Sequence, residues 1–243
     1  MNGVFDLGGT DGLGAVVVVD DEPVFRAEWE KPMFTMFPAC FRAGYFGVDS
    51  FRHGMEKMDP AVYLKAPYYE HWLYSIENHA IAAGAIDPAE LDRRTEYYLA
   101  NPDAPLPEHE QSEELIEFVN AVVPAGATAI RETDKVARFR AGDVVTVTDV
   151  SPLGHTRRAR YVRGKTGTIV AHHGSFIYPD TAGNGLGEDP EHVYTVKFAA
   201  EELWGAGYAD PNSSVYFDVW DPYIEFAPEG FATERSATEG AQQ

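Results

Sequence analysis

The chain has 243 residues, with 19 Lys and Arg against 39 Asp and Glu, so its formal net charge is -20. This charge argues against nucleic acid as the main partner, because phosphate binding depends on Lys and Arg that displace counterions. The single cysteine, Cys40, excludes an intrachain disulfide and cannot form a thiolate metal cage alone. The N-terminus has no basic region and its apolar run Val16–Val19 is short, so we expect a cytoplasmic protein.

Residues 1–24 are predicted to form an extended arm. Their glycines, at positions 8, 9, 12 and 14, follow no helical or strand period. The G-G-x-x-G-x-G run neither follows a predicted strand nor opens a helix, so it does not match a dinucleotide-binding loop. Extended terminal arms usually pack against another protein surface, so we expect residues 1–24 to do the same.

A helical domain is predicted over residues 25–123. Apolar residues recur at three- and four-residue spacing from Trp29 to Phe41, which predicts a first helix. Pro32 and Pro38 interrupt this pattern, so we expect the helix to be kinked or broken. Asp49 is the predicted N-cap of a second helix.

Two later helix starts follow local capping rules. Asp87 supplies a side-chain acceptor and is followed by proline and, at the third helical position, glutamate. Ser112–Val122 is a further predicted helix, with two glutamates in its first turn. Between these helices, Leu99–Gln111 is rich in proline and acid and is predicted to be an exposed connection.

In the C-terminal part of the chain, apolar residues recur at every second position. Short strand-like runs such as V-V-T-V-T-D-V, R-Y-V-R, T-G-T-I-V, V-Y-T-V-K-F and S-V-Y-F-D-V are separated by glycine-rich turns. They predict a small antiparallel, SH3-like β-barrel over residues 139–228, joined by a linker over 124–138. Residues 229–243 are predicted to be a disordered tail. The fold class expected is α+β.

One segment, Ser151–Gly167, contains five of the chain's cations. These are Arg157, Arg158, Arg160, Arg163 and Lys165. The cluster has three interpretations: a strand whose arginines meet surface acids, a basic loop that meets RNA as in KOW-type barrels, or arginines that reach across an interface to a buried anion. The acidic balance of the chain disfavours RNA.

Other candidate residues have simpler interpretations from the sequence alone. Arg52 on the second helix is compatible with a surface cation. Tyr68, Tyr69 and Trp72 are compatible either with core packing or with the wall of an apolar pocket. The His172-His173 pair and Gly183-Asn184-Gly185 are interpreted as turn residues. Adjacent histidines on a strand would point to opposite faces and suit one metal ion poorly.

Several long motifs resemble the β subunit of nitrile hydratase. The opening M-N-G-V-F-D-L-G-G-T-D-G-L-G resembles that family's arm, and D-E-P-V-F-R-A-E-W-E, F-R-H-G-M-E-K-M-D-P and P-Y-Y-E-H-W resemble its helical half. P-L-G-H-T-R-R-A-R-Y-V-R-G-K-T-G, A-A-E-E-L-W-G and V-W-D-P-Y-I-E resemble its barrel. The resemblance leaves only the final tail unmatched. Thiocyanate hydrolase divides the two halves between chains, and the metallochaperones resemble only the helical half.

The resemblance implies an αβ heterodimer, often doubled to α2β2, that hydrates nitriles to amides. Its low-spin Co(III) or Fe(III) ion would be held by the partner α subunit, on cysteines of which two are oxidised to sulfinate and sulfenate. No cofactor would be bound by this chain alone. The long acidic connection resembles the cobalt branch more than the iron branch. The nucleophile would be water or the sulfenate oxygen.

The resemblance also implies roles for individual residues. Arg52 and Arg157 would hydrogen-bond the oxidised cysteines, and Tyr68 would donate a proton or orient water. His71 would support the site from outside. The pocket would be lined by Phe37, Val48, Phe51 and Trp72. The alternative function is a non-catalytic KOW- or SH3-like module for RNA binding or protein assembly.

Overall fold

A computed structural model describes residues 3–228, so the predicted tail at 229–243 lies outside the described residues. The chain divides into two compact units. The helical unit is Gly12–Thr128, and the sheet unit combines the described residues up to Asp11 with those from Ala129 onward. None of the helices between residues 3 and 228 has the length and apolar character needed to cross a membrane.

The helical unit contains six helices. They are α1 (Glu30–Arg42), α2 (Val48–Glu56), α3 (Pro60–Lys65), α4 (Tyr68–Ala82), α5 (Pro88–Ala100) and α6 (Glu113–Ala125). Helix α4 packs against α1 and α2. The buried side chains between them come from all three helices and the turn after α1: Met33, Phe46, Phe51, Tyr69 and Ile76.

The prediction for the first helix was a kink or a break, and the break is wrong because α1 continues through both prolines. Pro32 lies in the first turn of α1, where a backbone N–H would have no intrahelical acceptor in any case. Pro38 lies inside the helix and is buried. A buried proline is therefore accommodated inside α1 although it cannot donate the intrahelical hydrogen bond.

The caps of the later helices follow the local rules, whereas that of α2 does not. Asp87 Oδ1 accepts the backbone N–H of Ala89 at 2.9 Å, as predicted. The N-cap of α2 is Gly47, with Ser50 Oγ accepting its N–H at 2.9 Å. The prediction that Asp49 caps this helix is wrong, because Asp49 already lies within its first turn.

The sheet unit contains five antiparallel strands. They are β1 (Val144–Val147), β2 (Thr166–Phe176), β3 (Glu191–Ala199), β4 (Ser214–Trp220) and β5 (Ile224–Phe226), in the order β4-β3-β2-β1-β5. Short helices α7 (Pro179–Ala182) and α8 (Ala200–Trp204) follow β2 and β3. The α+β class is confirmed. Among residues 3–228 no pairing joins β4 to β5, so the sheet is open and the predicted closed barrel is not confirmed.

The run R-Y-V-R is not a strand but contains a 3-10 turn, Arg160–Val162. Its backbone is directed by a distant group, because the buried carboxylate of Asp6 accepts the N–H of Arg160 at 2.9 Å. Val162 is fully buried while Arg160 is exposed. Burial therefore increases along this turn, from exposed Arg160 through partly buried Tyr161 to buried Val162 and Arg163, and does not alternate as it would in a strand.

Candidate functional site

Three of the five cations in Ser151–Gly167 are used within the sheet unit. The Arg158 guanidinium lies 4.6 Å from the centre of the Tyr223 ring. Arg160 Nη2 donates to the backbone oxygen of Asp6 at 3.2 Å. Arg163 donates to the carbonyl of Arg158 through Nε and Nη2, at 3.1 and 2.9 Å. These three arginines hold the segment together, which leaves few guanidinium groups for a long phosphate backbone.

Arg157 differs from these neighbours. Its side chain is partly exposed, and within residues 3–228 its guanidinium has neither a hydrogen bond nor an ion pair. Its backbone N–H, in contrast, donates to the hydroxyl of Tyr223 at 3.1 Å. The ammonium of Lys165 also lacks a partner in this part of the chain, but it cannot present the two parallel donors of a guanidinium. The backbone of Arg157 is thus held in place, while the N–H donors of its guanidinium remain available to a ligand or partner.

The anchor of Arg157 is a buried phenol. Tyr223 is fully buried, accepts a hydrogen bond from Thr156 Oγ1 at 3.2 Å and donates to Asp180. Burial raises the pKa of Tyr223 far above its ordinary value, and the carboxylate of Asp180 raises it further. The phenol therefore stays protonated and keeps its hydrogen bond to Asp180.

Asn184 fixes the residue two positions before Arg157. Its Oδ1 accepts the N–H of His155 at 3.0 Å, and its Nδ2 donates to the His155 carbonyl at 3.1 Å and to the Asp180 carbonyl at 2.7 Å. A Cβ at Gly183 would lie 2.4 Å from the His155 ring, so only glycine fits there. Sequence reasoning treated Gly183-Asn184-Gly185 as a plain turn and missed this role, since the contact is 29 residues away along the chain.

Arg52 on α2 is held differently. Its Nη1 donates to Asp49 Oδ1 at 3.0 Å, one helical turn earlier. The Arg52 side chain is 45% exposed and that of Asp49 only 11%. The carboxylate therefore engages one side of the guanidinium, and the remaining donors face outward.

The predicted pocket residues of the helical unit come together only in part. The rings of Phe37, Phe51 and Trp72 lie 4.8 to 5.3 Å apart, centre to centre. Phe51 is buried in the core, whereas Phe37 and Trp72 are partly buried and present a remaining surface. Val48, at the start of α2, is 40% exposed.

Tyr68 is the polar residue at this aromatic surface. Its ring lies 5.7 Å from that of Trp72, and the residue is 63% exposed. In the described part of the chain its hydroxyl has no hydrogen-bond partner. Tyr68 also borders a cavity of about 400 Å³ whose lining residues are Glu22, Pro23, Val24, Arg26, Glu30, Tyr68 and Tyr69.

His71 has an internal role. Its Nε2 lies 2.8 Å from the carbonyl oxygen of Tyr63, which can only accept, so this nitrogen carries the proton. The imidazole also stacks within 4.5 Å of the Tyr63 ring. His71 therefore connects α4 to α3, as a support of the helix that carries Tyr68.

Family models match almost the whole chain. The model described as nitrile hydratase beta subunit, N-terminal, matches residues 1–115, and the model described as nitrile hydratase beta subunit, C-terminal, matches residues 128–226. The boundary between the matches falls close to the division between the two units.

Curated relatives cover nearly all of the chain. A nitrile hydratase subunit beta of Rhodococcus sp is 65% identical over 96% of this chain and 100% of its own length. A cobalt-containing nitrile hydratase subunit beta of Pseudonocardia thermophila is 64% identical over 93% of this chain and 96% of its own. A low-molecular weight cobalt-containing nitrile hydratase subunit beta of Rhodococcus rhodochrous is 48% identical over 92% of this chain and 99% of its own length.

Proposed function

The chain belongs to the nitrile hydratase beta-subunit family, and we propose that it supplies cationic donors and an apolar wall to a centre whose ligands come from the partner subunit. As the beta subunit of this heteromeric enzyme, it takes part in the hydration of nitriles to amides. The observation that carries the proposal is the available guanidinium of Arg157 on a backbone anchored by Tyr223.

The donor set of this chain does not fit the metal ion of the family. It has one thiol, Cys40, and burial raises the pKa of that thiol, which favours the protonated form that binds metals poorly. We therefore assign the ion to the α subunit, and the two relatives named as cobalt-containing support cobalt. When bound in the complex, the ion supplies Lewis acidity toward the nitrile.

Arg157 is proposed to donate hydrogen bonds to the oxidised cysteine oxygens of the α subunit. Sulfenate and sulfinate are anionic, and a planar guanidinium can donate two parallel hydrogen bonds to such groups. These bonds fix the oxygens in place and tune the centre that they surround. Since Arg157 has no competing acid among residues 3–228, it can meet such an anion without first breaking an ion pair.

Arg52 is proposed as the second donor. Because Asp49 engages only one side of its guanidinium, the other donors remain free for an anion of the partner. The nearby carboxylate also limits the rotamers of Arg52, which lowers the entropy lost when it binds.

Substrate is proposed to meet the aromatic surface of the helical unit. Phe37 and Trp72 offer apolar area to the organic group of a nitrile, and Phe51 supports both from the core. Val48 would limit the width of the pocket. Tyr68, whose hydroxyl has no partner in the described residues, would donate to the substrate or orient the attacking water.

The partner is proposed to be a nitrile hydratase α subunit in an αβ dimer, doubled to α2β2. The arm offers contact area for it, because four consecutive valines, Val16–Val19, are exposed and outside regular secondary structure. Exposed apolar runs of this kind mark protein interfaces.

The proposal is tested by Arg157→Lys in chain co-expressed with the α subunit. Lysine keeps the positive charge but lacks the two parallel N–H donors of the guanidinium. We therefore expect the complex to assemble and the rate of amide formation to fall about 100-fold or more. Peptide mass spectrometry of the α-subunit cysteines should show a changed ratio of sulfenate to sulfinate.

Arg140→Lys is the matched control, since Arg140 is exposed and has a loose contact of 3.7 Å with Asp143. Its activity and cysteine oxidation should equal those of the unchanged complex. If Arg157→Lys retained full turnover and unchanged oxidation, Arg157 would not be a donor to the centre.

A further inference from the structure

Two imidazoles from neighbouring strands meet at the surface of the sheet unit. His172 Nε2 and His192 Nδ1 are 3.1 Å apart, and the ring centres are 5.0 Å apart. In the β2–β3 register His172 pairs with Tyr194, and His192 stands two residues before Tyr194. Both side chains therefore project from the same face of the sheet. His172 and His173 both lie in β2, so the interpretation of this pair as turn residues is wrong.

The protonation of His192 follows from its other nitrogen. Nε2 lies 2.9 Å from the carbonyl oxygen of Lys135, which can only accept, so Nε2 carries the proton. Nδ1 of the neutral ring then presents a lone pair toward His172. An imidazole whose far N–H is held by a backbone carbonyl is the usual arrangement of a metal-binding histidine.

His172 can adjust to a shared ion. Its ring is exposed and stacks on the buried ring of Tyr194 at 5.0 Å, an arrangement that fixes its position but leaves its Nδ1 without a hydrogen bond among residues 3–228. In the ion-free protein His172 Nε2 donates its proton to the Nδ1 lone pair of His192 across 3.1 Å. Movement of this proton to His172 Nδ1, together with a turn of the ring, would direct the lone pairs of His172 Nε2 and His192 Nδ1 to one point.

The separation of the two nitrogens suits metal coordination. With metal–nitrogen bonds of about 2.0 to 2.1 Å, two ligands of a tetrahedral ion are about 3.3 Å apart. Two adjacent ligands of a square-planar ion are about 2.9 Å apart. The observed 3.1 Å lies between these values, so either geometry requires a shift of only about 0.2 Å.

We propose that His172 and His192 form a binding site for a divalent transition-metal ion, separate in composition from any cysteine-based centre. Borderline ions that prefer imidazole are favoured, and Cu²⁺ should bind more tightly than Ni²⁺ or Zn²⁺. Solvent would complete the coordination. The net charge of -20 raises the local concentration of cations.

His173 does not belong to this site. Its Nε2 contacts Thr195 Oγ1 at 2.7 Å, and Thr195 Oγ1 in turn donates to Asp218 at 2.5 Å. His173 is as exposed as His172 and adjacent to it, so it provides a matched control on the same strand.

The experiment uses the two-subunit complex without a histidine tag, titrated with Cu²⁺ and followed by calorimetry and electron paramagnetic resonance. The unchanged complex should bind one Cu²⁺ more per copy of this chain than His172→Ala does, with nitrogen hyperfine structure from two imidazoles. The affinity of this site should fall about tenfold or more in His172→Ala, so that the site stays largely empty at a Cu²⁺ concentration that fills it in the unchanged complex. His173→Ala should bind as the unchanged complex does.

Amide formation by His172→Ala should be unaffected, which separates this site from the catalytic proposal and shows that the variant folds. His192→Gln serves as a second variant and should also lose the ion. Equal Cu²⁺ uptake by the unchanged complex and His172→Ala, or an equal loss in His173→Ala, would overturn the site.

Discussion

Arg157 and Arg52 are supported in opposite ways. In the sheet unit the backbone of Arg157 is fixed by the buried phenol of Tyr223, and the guanidinium has no partner within residues 3–228. In the helical unit the guanidinium of Arg52 is itself fixed by Asp49, on a helix whose other face packs among aromatic rings. One unit positions a cation through a polar network, and the other through an ion pair on a regular helix.

This difference predicts how each arginine responds to changes around it. A buried polar network loses stability when one member is removed, because its partners stay desolvated. An ion pair whose arginine is half exposed contributes little to stability, so its loss should alter the orientation of the arginine more than the fold. Substitutions near Arg157 should therefore change stability and activity together, whereas those near Arg52 should separate the two.

The largest effect is expected from Tyr223→Phe. It removes the partner of Arg157 N–H, of Thr156 Oγ1 and of Asp180 at a fully buried position. We expect the free energy of unfolding to fall by about 3 kcal/mol and kcat/KM to fall with it. Chemical denaturation and steady-state kinetics of the complex measure both. The exposed Tyr216, changed to Phe, is the control and should leave both unchanged.

A smaller effect is expected from Asn184→Ala. This change removes two hydrogen bonds to His155 and one to Asp180, at a partly exposed position. Stability should fall by about 2 kcal/mol, and kcat/KM should fall because the segment before Arg157 is released. Asn184→Asp, which keeps only the acceptor, should not restore activity. Asn120→Ala on α6 is an exposed control, and a loss of equal size there would remove the special role of Asn184.

The smallest change in stability is expected from Asp49→Asn. Arg52 is 45% exposed but Asp49 is buried in the first turn of α2, and asparagine has nearly the same shape as aspartate, so stability should fall by only about 1 kcal/mol. The fall in activity should be larger than the fall in stability explains, because the carboxylate that orients Arg52 is gone. Glu90→Gln, which removes the two exposed ion pairs of Glu90 with Arg93 and Arg94 on α5, should leave activity unchanged. Full activity in Asp49→Asn would show that Arg52 needs no orienting carboxylate.

Local rules predicted the parts of the fold that depend on local contacts. The cap at Asp87 and the start of α6 at Ser112 follow from side chains that reach only two or three residues along the chain. The turn at Arg160–Val162 did not follow from its own sequence, since Asp6, 154 residues away, directs its backbone. The run R-Y-V-R resembles a strand because tyrosine and valine are both frequent in strands.

For the candidate site too, the sequence predicted what depends on local composition and not what depends on contacts distant along the chain. Composition showed that the cations of Ser151–Gly167 needed an anion or an internal partner, but not which of them was available. The partners of Arg158 and Arg160 are Tyr223 and Asp6, both distant in sequence. The choice of Arg157 came from the resemblance to the family, and the structure adds the physical reason that its guanidinium is unpaired among the described residues.

The most direct measurement is a crystal structure of this chain in complex with its α subunit. We expect both terminal nitrogens of Arg157 to lie within hydrogen-bond distance of oxygens on oxidised cysteines of the partner, while the Arg157 N–H still donates to Tyr223. An Arg157 side chain that faces solvent, or that pairs with a carboxylate of its own chain, would contradict the proposed role of Arg157.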